Sequence, residues 1–217
     1  MEKRVFLFDE FNTWYDWRLT LTAKDVNPPE PKTNYVELDG MSGTLDLTEA
    51  LTGEVAYNDR TVAASFWSSE GTYQEREVLV GQIITALHGR KVKIVEPDDP
   101  YHYFLGRVMV KNLERSQVHV AFDIEAICDP WRYAIQETEH WVDASASATE
   151  VIRNEGVKTM TPVLTVTGSV ALTYDDRTVE LTEGTYKLTD LKLRHGATVI
   201  GVSGNGTVTF TYREATL

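Results

Sequence analysis

The sequence contains a single cysteine, Cys128, among its 217 residues. One thiol excludes any disulfide within the chain, so we expect packing to stabilise the fold, as in proteins of a reducing compartment. Cys128 ends the apolar run "VHVAFDIEAIC", where we predict the last residue of a strand. A free cysteine in such a run is far more often a buried packing residue than a nucleophile. We therefore assign no catalytic role to Cys128.

Basic side chains are also scarce: 21 lysines and arginines stand against 33 acidic residues, and the formal net charge is −12. Residues 141–217 contain 7 basic and 9 acidic side chains, so residues 1–140 contain 14 and 24, a net charge of −10. A surface of this charge repels phosphates, which argues against nucleic acid as a specific ligand. Any function that uses the acidity belongs to the first part of the chain.

Long apolar runs are missing from the sequence. No window approaches the roughly 20 residues of a membrane-spanning helix. The apolar stretch after Lys3 and Arg4 ends at Asp9, which makes it too short for a signal peptide. We expect a protein that stays in the compartment where it is made and that has no membrane partner.

Motifs of catalytic chemistry are missing as well. There is no Gly-x-Ser-x-Gly sequence, no glycine-rich phosphate loop before a helix, and no close histidine pair with metal-ligand spacing. His102 and His119 could face each other on paired strands, and His140 is a third candidate ligand, but solvated or core histidines are the better interpretation. Asp98 and Asp99 stand between two prolines, which predicts a solvated hairpin turn and not an acid/base pair. We predict no enzyme activity, no cofactor and no metal.

What the sequence does contain is a β-rich pattern with one helix. Thr72 and Glu75 have the spacing of a capping box, and Gly89 follows the last predicted helical residue. The predicted helix has one apolar stripe at helical spacing, formed by Val80, Ile83, Ile84 and Leu87. After the helix, residues 91–128 form three alternating runs separated by turns, which predicts three paired strands.

From about residue 138 the chain consists of short, threonine-rich segments at spacings of eight to twelve residues, which predicts an antiparallel β-sandwich. In the last segment, Val208, Phe210 and Tyr212 would face the core while the threonines between them face outward. The sequence "SGNG" predicts a hairpin turn at Asn205 and Gly206.

The predicted fold class is therefore mainly β. We expect a β-rich α+β domain with one helix over residues 1–135 and an all-β antiparallel sandwich over residues 136–217. Within the first domain, "VNPPEPKT" (residues 26–33) has three prolines in four positions, which removes backbone donors and favours an extended path. This stretch is either an arm that leaves the domain or an ordinary surface loop.

The order of several blocks is similar to a known family. The block "LDGMSGTLDLTEALTGEVAYNDRTVAASF" is followed by the helix and by a strand run that ends in "CDPWRY"; later come "NEGVKTMTPVLTVTG" and "LRHGATVIGVSGNGTVTFTYRE". This arrangement resembles the distal tail (Dit) proteins of phages with long, noncontractile tails, and the resemblance covers most of the chain. The motif positions in the first block, which we expect to be structural or interface residues, are Asp39, Gly40, Gly43, Asp46, Thr48, Tyr57 and Arg60.

The resemblance implies a structural protein of the virion tail tip, made in the host cytoplasm. Proteins of this family form a six-membered ring that joins the tail tube to the tip and adsorption apparatus and lets DNA pass without specific binding. The implied partners are other copies of the chain, the tail tube protein and a tail-associated protein of the tip. The resemblance assigns ring formation to the first domain and an outward-projecting, galectin-like sandwich to the second.

Two other functions compete with this one. A carbohydrate-binding, lectin-like sandwich needs exposed aromatic residues, but residues 143–217 contain no tryptophan and only three tyrosines. A β-sandwich glycosidase needs two carboxylates that face each other across a groove, whereas Asp175 and Asp176 are adjacent in a predicted turn. A sugar-array screen and a hydrolysis assay distinguish these two functions from a structural role.

Overall fold

The computed structural model describes residues 4–50, 53–146 and 148–217. The chain divides into two compact units: the described residues up to Arg132 together with Leu217, and Tyr133–Thr216. The functions expected of the two domains stay predictions. The predicted fold class is confirmed, because the described chain is mainly β with a single α-helix. No helix in these ranges is both long and apolar enough to cross a membrane.

The first unit is a β-sheet with one helix. Its elements, in chain order, are β1 (Leu7–Phe8), β2 (Phe11–Asn12), β3 (Thr20–Val26), β4 (Tyr35–Glu37), β5 (Thr44–Asp46), β6 (Arg60–Ser68), α1 (Tyr73–Leu87), β7 (Lys91–Glu96), β8 (Asp99–Arg115) and β9 (Val120–Ala134). The main sheet has the order β2-β1-β7-β8-β9-β6-β3, and β4 pairs only with β5. The predicted three-strand run is therefore β7, β8 and β9. The expectation that Cys128 ends its strand is wrong, since β9 continues to Ala134.

The core of the first unit follows from alternation along its strands. In β6, Val62, Ala64 and Phe66 are buried while the residues between them are more exposed, as expected for a strand with one face on the core. These side chains share one cluster with Phe6, Phe104 and other residues. Burial of a side chain such as Phe66 contributes about 1.5–3 kcal/mol of hydrophobic stabilisation.

Helix α1 begins with the predicted capping box. The Thr72 hydroxyl accepts a hydrogen bond from the Glu75 backbone N–H at 3.3 Å, and the Glu75 carboxylate accepts one from the Thr72 N–H at 2.7 Å. After the helix, Gly89 has a φ of 79°, which favours glycine. Three residues of the predicted stripe are buried, namely Val80, Ile83 and Leu87. The inclusion of Ile84 was wrong, because it is 36% exposed; it lies about 100° around the helix from Ile83.

The second unit is all-β. Its elements are β10 (Thr138–Asp143), a 3-10 turn (Ala144–Ala146), β11 (Ala148–Asn154), β12 (Val163–Tyr174), β13 (Arg177–Leu181), β14 (Gly184–Tyr186), β15 (Gly196–Tyr212) and β16 (Ala215–Thr216). The long strand β15 pairs with β12 over most of its length, with β11 along its first half and with β10 along its second half. Strands β13 and β14 pair with different halves of β12. All of these pairs are antiparallel, as predicted.

Both long strands contain glycines where their pairing comes closest. A Cβ on Gly206 would lie 1.9 Å from the Thr167 carbonyl oxygen, and one on Gly204 would lie 2.3 Å from the Ser169 carbonyl oxygen. The prediction of a hairpin turn at Asn205 and Gly206 is wrong, because these residues lie inside β15 and pair with β12. Within a strand, glycine often marks a bulge or a close approach of another backbone.

The core of the second unit draws on both halves of these long strands. The predicted burial of Val208, Phe210 and Tyr212 in β15 is confirmed by exposed fractions of 0%, 0% and 5%. They share a cluster with Leu164 and Leu172, which lie on either side of the glycine region of β12. One continuous core therefore lies under the whole sheet.

Candidate assembly interface

Residues 27–59, which we name the arm, leave the main sheet at the end of β3 and return to it at β6. Near the sheet the two limbs of the arm run side by side: Lys32 N–H donates to the Ala56 carbonyl and Asn58 N–H to the Glu30 carbonyl, both at 2.8 Å. Further out, β4 pairs antiparallel with β5. The proline-rich stretch is thus one limb of an extended hairpin, and the interpretation as an arm describes it better than a surface loop.

Three of the predicted motif residues lie at or near the end of the arm. Gly40 and Gly43 both have a φ of 84°, a conformation that L side chains rarely adopt. Space does not require glycine at either position, since an added Cβ would meet no atom within 4 Å. Asp39 precedes the first glycine in a turn that is closed by the Met41 N–H, which donates to the Leu38 carbonyl at 3.1 Å. These positions shape the tip of the arm.

Asp46 and Thr48 join the two limbs. The Asp46 carboxylate accepts hydrogen bonds from the Thr48 N–H at 2.9 Å and from the Thr48 hydroxyl at 2.5 Å. The bonds from the Thr48 hydroxyl and backbone hold the pKa of Asp46 below its usual value. The same hydroxyl accepts from the Asn34 N–H on the other limb at 3.1 Å. This pair fixes the separation of the limbs where β5 ends.

Tyr57 and Arg60 hold the base of the arm. The Tyr57 ring meets Trp131 edge-on at 5.6 Å. The Arg60 guanidinium is buried, lies 4.9 Å from the centre of the Phe104 ring, and donates to the carbonyls of Asn27 and Pro130. Burial, and next the charge of Arg132, lower the pKa of Arg60. Asn27 starts the arm and Arg60 follows it, so one side chain joins both of its ends.

The middle and tip of the arm expose apolar side chains to solvent. The exposed fractions of Tyr35, Leu38, Met41 and Leu45 are 58%, 48%, 47% and 39%. A cleft of about 600 Å³ lies along the arm, lined by Pro31, Thr33, Tyr35, Asp46, Thr48, Glu49, Ala50, Gly53 and Val55. Exposed apolar residues grouped on a projecting segment are typical of a surface that binds another protein.

The arm is also strongly acidic. It contains seven acidic residues against one lysine, a net charge of −6, which is half of the −12 of the whole chain. The seven acidic residues are Glu30, Glu37, Asp39, Asp46, Glu49, Glu54 and Asp59. A partner of the arm therefore needs both an apolar surface and positive charge.

Asp98 and Asp99, the acidic pair singled out in the sequence, belong to an ion-pair network. Asp98 lies in the predicted turn, where it accepts from Arg4 and Lys24 at 2.7 Å, and Lys24 also contacts Glu96. Hydrogen bonds from Lys24 and Arg4 hold the pKa of Asp98 below its usual value. These contacts tie the start of the chain and β3 to the β7–β8 turn, which is a structural role.

The expectation that Asp99 is a solvated turn residue was wrong. Asp99 is the first residue of β8, its side chain is 20% exposed, and it contacts His102 at 2.9 Å and Arg132 at 3.4 Å. Burial acts to raise the pKa of Asp99, but hydrogen bonding to His102 and the charge of His102 outweigh it, so the pKa is lowered. His102 is only three residues from Asp99, whereas Arg132 is 33 residues away and could not be predicted from a local pattern.

The candidate metal ligands have separate partners. His102 contacts Asp99, His119 contacts Ser116 and lies 3.6 Å from Glu114, and His140 lies 3.3 Å from Glu150. Within the described ranges no three of the histidine, cysteine, aspartate and glutamate side chains form a group that could hold a metal. His102 and His119 do not form the facing pair considered from the sequence.

Cys128 is buried, as predicted, with an exposed fraction of 1%. Burial raises the pKa of its thiol to about 12. The thiol therefore stays protonated at neutral pH, and a protonated thiol is a poor nucleophile.

The whole chain is similar to solved structures but not to curated protein sequences. No protein-family model matches the chain, and no curated protein matches its sequence. The crystal structure of the Dit protein (gp 19.1) of phage SPP1 superposes on it with a TM-score of 0.72, over 98% of this chain and 99% of the phage protein, at 13% sequence identity. This chain has the Dit fold. The resemblance seen in the sequence is thus confirmed by a solved structure.

The SPP1 protein is described as a paradigm of the hub adsorption apparatus in phages that infect Gram-positive bacteria. At 13% identity the match establishes the shared fold and leaves the roles of individual residues open. The seven motif residues of this chain all lie on the arm or at its base, but their interface role stays a prediction. Sequence reasoning missed the exposed Tyr35, Leu38, Met41 and Leu45 of the arm.

Proposed function

We propose that the protein is a structural component of a phage tail tip, where six copies form a ring between the tail tube and the adsorption apparatus. The observation that carries this proposal is the Dit fold, which extends over both units of the chain and over nearly all of the SPP1 hub protein. A role in architecture, and not in catalysis, agrees with the separate partners of the candidate histidines. The site of action is the tail tip of the virion, after synthesis in the host cytoplasm.

The arm supports ring formation. Four large apolar residues that are exposed on one segment are typical of a surface that binds another protein. If it binds a different surface of an identical copy, the contact is head-to-tail, and a head-to-tail contact that closes on itself gives a ring. The first unit, which includes the arm, is the part that assembles in this proposal, and the second unit projects outward.

The charge of the chain suits a channel for DNA. A net charge of −12 per copy gives a six-membered ring an excess of carboxylates over the cations that could hold phosphates. DNA would pass such a channel without specific binding. The ring would contact the tail tube protein on one face and a tail-associated protein on the other. Through the tail-associated protein, the ring would take part in host attachment.

Native mass spectrometry tests the proposed assembly. The expected species has six times the 24.5 kDa mass of the chain, and deletion of arm residues 35–46 should convert it to monomers. A protein that stays monomeric at concentrations up to the millimolar range would contradict the proposal. A filter-binding assay at low salt should detect no binding of duplex DNA.

One observation favours carbohydrate binding as a second candidate function. Trp141 lies in β10 of the second unit, just before the tryptophan-free residues 143–217, and is 62% exposed. Trp141 pairs with Thr209, Thr209 with Thr165, and Thr165 with Thr185, which places one indole and three hydroxyls in a row across four strands. A sugar-array screen of the protein and of Trp141→Ala tests this function: binding that the substitution abolishes would support it.

A further inference from the structure

A groove lies beside helix α1 in the first unit. The rings of Phe11 and Trp17 stack at 5.1 Å and form one wall, and the exposed face of α1 forms the other. The groove has a volume of about 660 Å³, and its lining includes Phe11, Trp17, Val78, Gly81, Ala86 and Arg90. The lining is mostly apolar, although the groove opens to solvent.

Gly81 has no side chain and therefore leaves space on the helix side of the groove. Gly81 lies in the middle of α1, where glycine is less favourable than alanine, and a Cβ at this position would meet no atom within 4 Å. Nothing in the described part of the chain therefore requires glycine here. One turn earlier, Val78 is 61% exposed. The absence of a side chain at Gly81, beside the exposed Val78, leaves space for an apolar side chain of another molecule.

Arg90 places positive charge at one end of the groove. Lys91 and Arg107 are direct partners in the β7–β8 pairing, and Arg90 precedes Lys91 in the chain. Lys91 pairs with Asp129 at 3.2 Å, and Arg107 donates to the Gly89 carbonyl. The Arg90 side chain is exposed and forms no ion pair with any residue that the structure describes. We name Arg90, with the end of the groove that it lines, the basic patch.

The arm has the complementary properties. Its tip carries Glu37 and Asp39 on either side of the exposed Leu38, with Met41 and Leu45 nearby. Within one copy the tip is solvent-exposed and the groove is open, so the two surfaces do not cover each other. Acidic residues interleaved with apolar ones match an apolar groove that ends in a basic patch.

We propose that the tip of the arm of one copy binds in the groove beside helix α1 of a neighbouring copy. Leu38 and Met41 enter beside Val78 and Gly81, and the carboxylates of Glu37 and Asp39 lie against the basic patch. This inference rests on the ring of the proposed function, and it names the surface that receives the arm. It also explains why the chain keeps an unpaired Arg90 and a glycine in the middle of its only described α-helix.

Charge reversal with rescue tests the proposal. Arg90→Glu should raise the concentration needed for assembly at least tenfold, and so should the pair Glu37→Lys with Asp39→Lys, because each leaves like charges opposed. All three substitutions together should restore assembly to within about threefold of the wild-type value, since the charges are complementary again. Arg194→Glu in the second unit makes the same charge change outside the groove and should have no effect. Light scattering coupled to size exclusion measures each mass.

Cross-linking gives an independent test on the full chain. The single native cysteine is buried, so engineered thiols can be labelled selectively. Copies carrying Met41→Cys and copies carrying Val78→Cys are mixed and treated with a short bis-maleimide. The proposal predicts a covalent pair from this mixture and none when Val199→Cys, at an equally exposed valine of the second unit, replaces Val78→Cys.

The outcomes separate the two levels of the proposal. Suppose that the wild type forms rings, that Arg90→Glu forms them equally well, and that Met41→Cys and Val78→Cys give no cross-link. This result would contradict binding of the arm in the groove but not the ring itself. A wild-type protein that never assembles would overturn both. If Met41→Cys cross-links equally to Val78→Cys and to Val199→Cys, the contact is not specific. This result would also contradict binding of the arm in the groove.

Discussion

Replacement of Arg60 by methionine should loosen the arm. Methionine is similar in length and keeps the apolar contacts of the Arg60 stem, but it cannot donate to the carbonyls of Asn27 and Pro130. A hydrogen bond from a charged group contributes about 1.5–3 kcal/mol, and a cation above an aromatic ring contributes about 0.5–2 kcal/mol. The substitution therefore removes two hydrogen bonds and the interaction with Phe104.

Part of this loss is offset. The Arg60 Nε is buried and has no hydrogen-bond partner among the residues that the structure describes, which costs about 1–3 kcal/mol and does not apply to methionine. Replacement of buried charges by apolar residues of similar volume is sometimes neutral for the same reason. We therefore expect a net loss of about 2–3 kcal/mol, well below the sum of the broken interactions.

The assay is hydrogen exchange at the base of the arm. A loss of about 2 kcal/mol corresponds to roughly thirtyfold more frequent opening, so the amides of Lys32 and Asn58 should exchange about thirty times faster in Arg60→Met. Arg76→Met is the matched control, because Arg76 is also buried and donates to the backbone carbonyls of Gly71 and Gln117. Its buried Nε likewise has no hydrogen-bond partner in the described part of the chain. Arg76→Met should destabilise the first unit without a selective effect on the arm. If the amides of Lys32 and Asn58 exchange at the same rates in Arg60→Met as in Arg76→Met, Arg60 does not anchor the arm.

Three other features of the chain give further predictions. Gly206→Ala should destabilise the protein by about 3 kcal/mol in urea denaturation, because its Cβ would lie 1.9 Å from the Thr167 carbonyl oxygen; Gly81→Ala, which meets no atom, should stabilise it by about 0.5–1 kcal/mol. The raised pKa of Cys128 means that its contribution to stability is complete below pH 9 and is lost as the pH rises towards about 12. Thermal unfolding at pH 8 and pH 11 should therefore show a smaller fall in Tm for Cys128→Ala than for the wild type, and equal falls would contradict this. A chain of residues 1–135 should assemble in light scattering as the full chain does; a truncated chain that stays monomeric while the full chain assembles would place the interface in the second unit.

Local signals in the sequence were sufficient for part of the fold. The capping box of Thr72 and Glu75 specifies the start of α1 through contacts three residues apart, and the alternation of Val208, Phe210 and Tyr212 specifies the buried face of β15. Such patterns need no knowledge of distant partners. The proline-rich stretch likewise predicted an extended path out of the sheet, because proline removes donors wherever it occurs.

Glycine was the main source of error in the second unit. The glycines of "SGNG" predicted a turn, yet Gly204 and Gly206 lie inside a strand, opposite Val170 and Gly168 of β12. A turn and a close approach of two backbones both require the absence of a Cβ. The choice between them depends on a partner strand some forty residues away, which a local pattern cannot contain.

The charged residues could not be placed from the sequence for a similar reason. Arg4 reaches Asp98 across 94 residues and Lys24 reaches Glu96 across 72, so Asp98 and Asp99 looked like unpaired turn residues. The candidate interface was found in part: the motif positions lie on the arm and its base. The exposure of Leu38 and Met41 and the groove beside Val78 depend on how the chain folds, and neither follows from spacing.

Imaging of the purified full-length protein by negative-stain electron microscopy tests the central claim most directly. The account predicts rings with a central hole and six-fold symmetry in class averages, with the second unit on the outside. Deletion of arm residues 35–46 should remove these rings while each copy stays folded by circular dichroism. Uniform monomers of the full chain at every protein concentration, or rings that persist without the arm, would contradict the account.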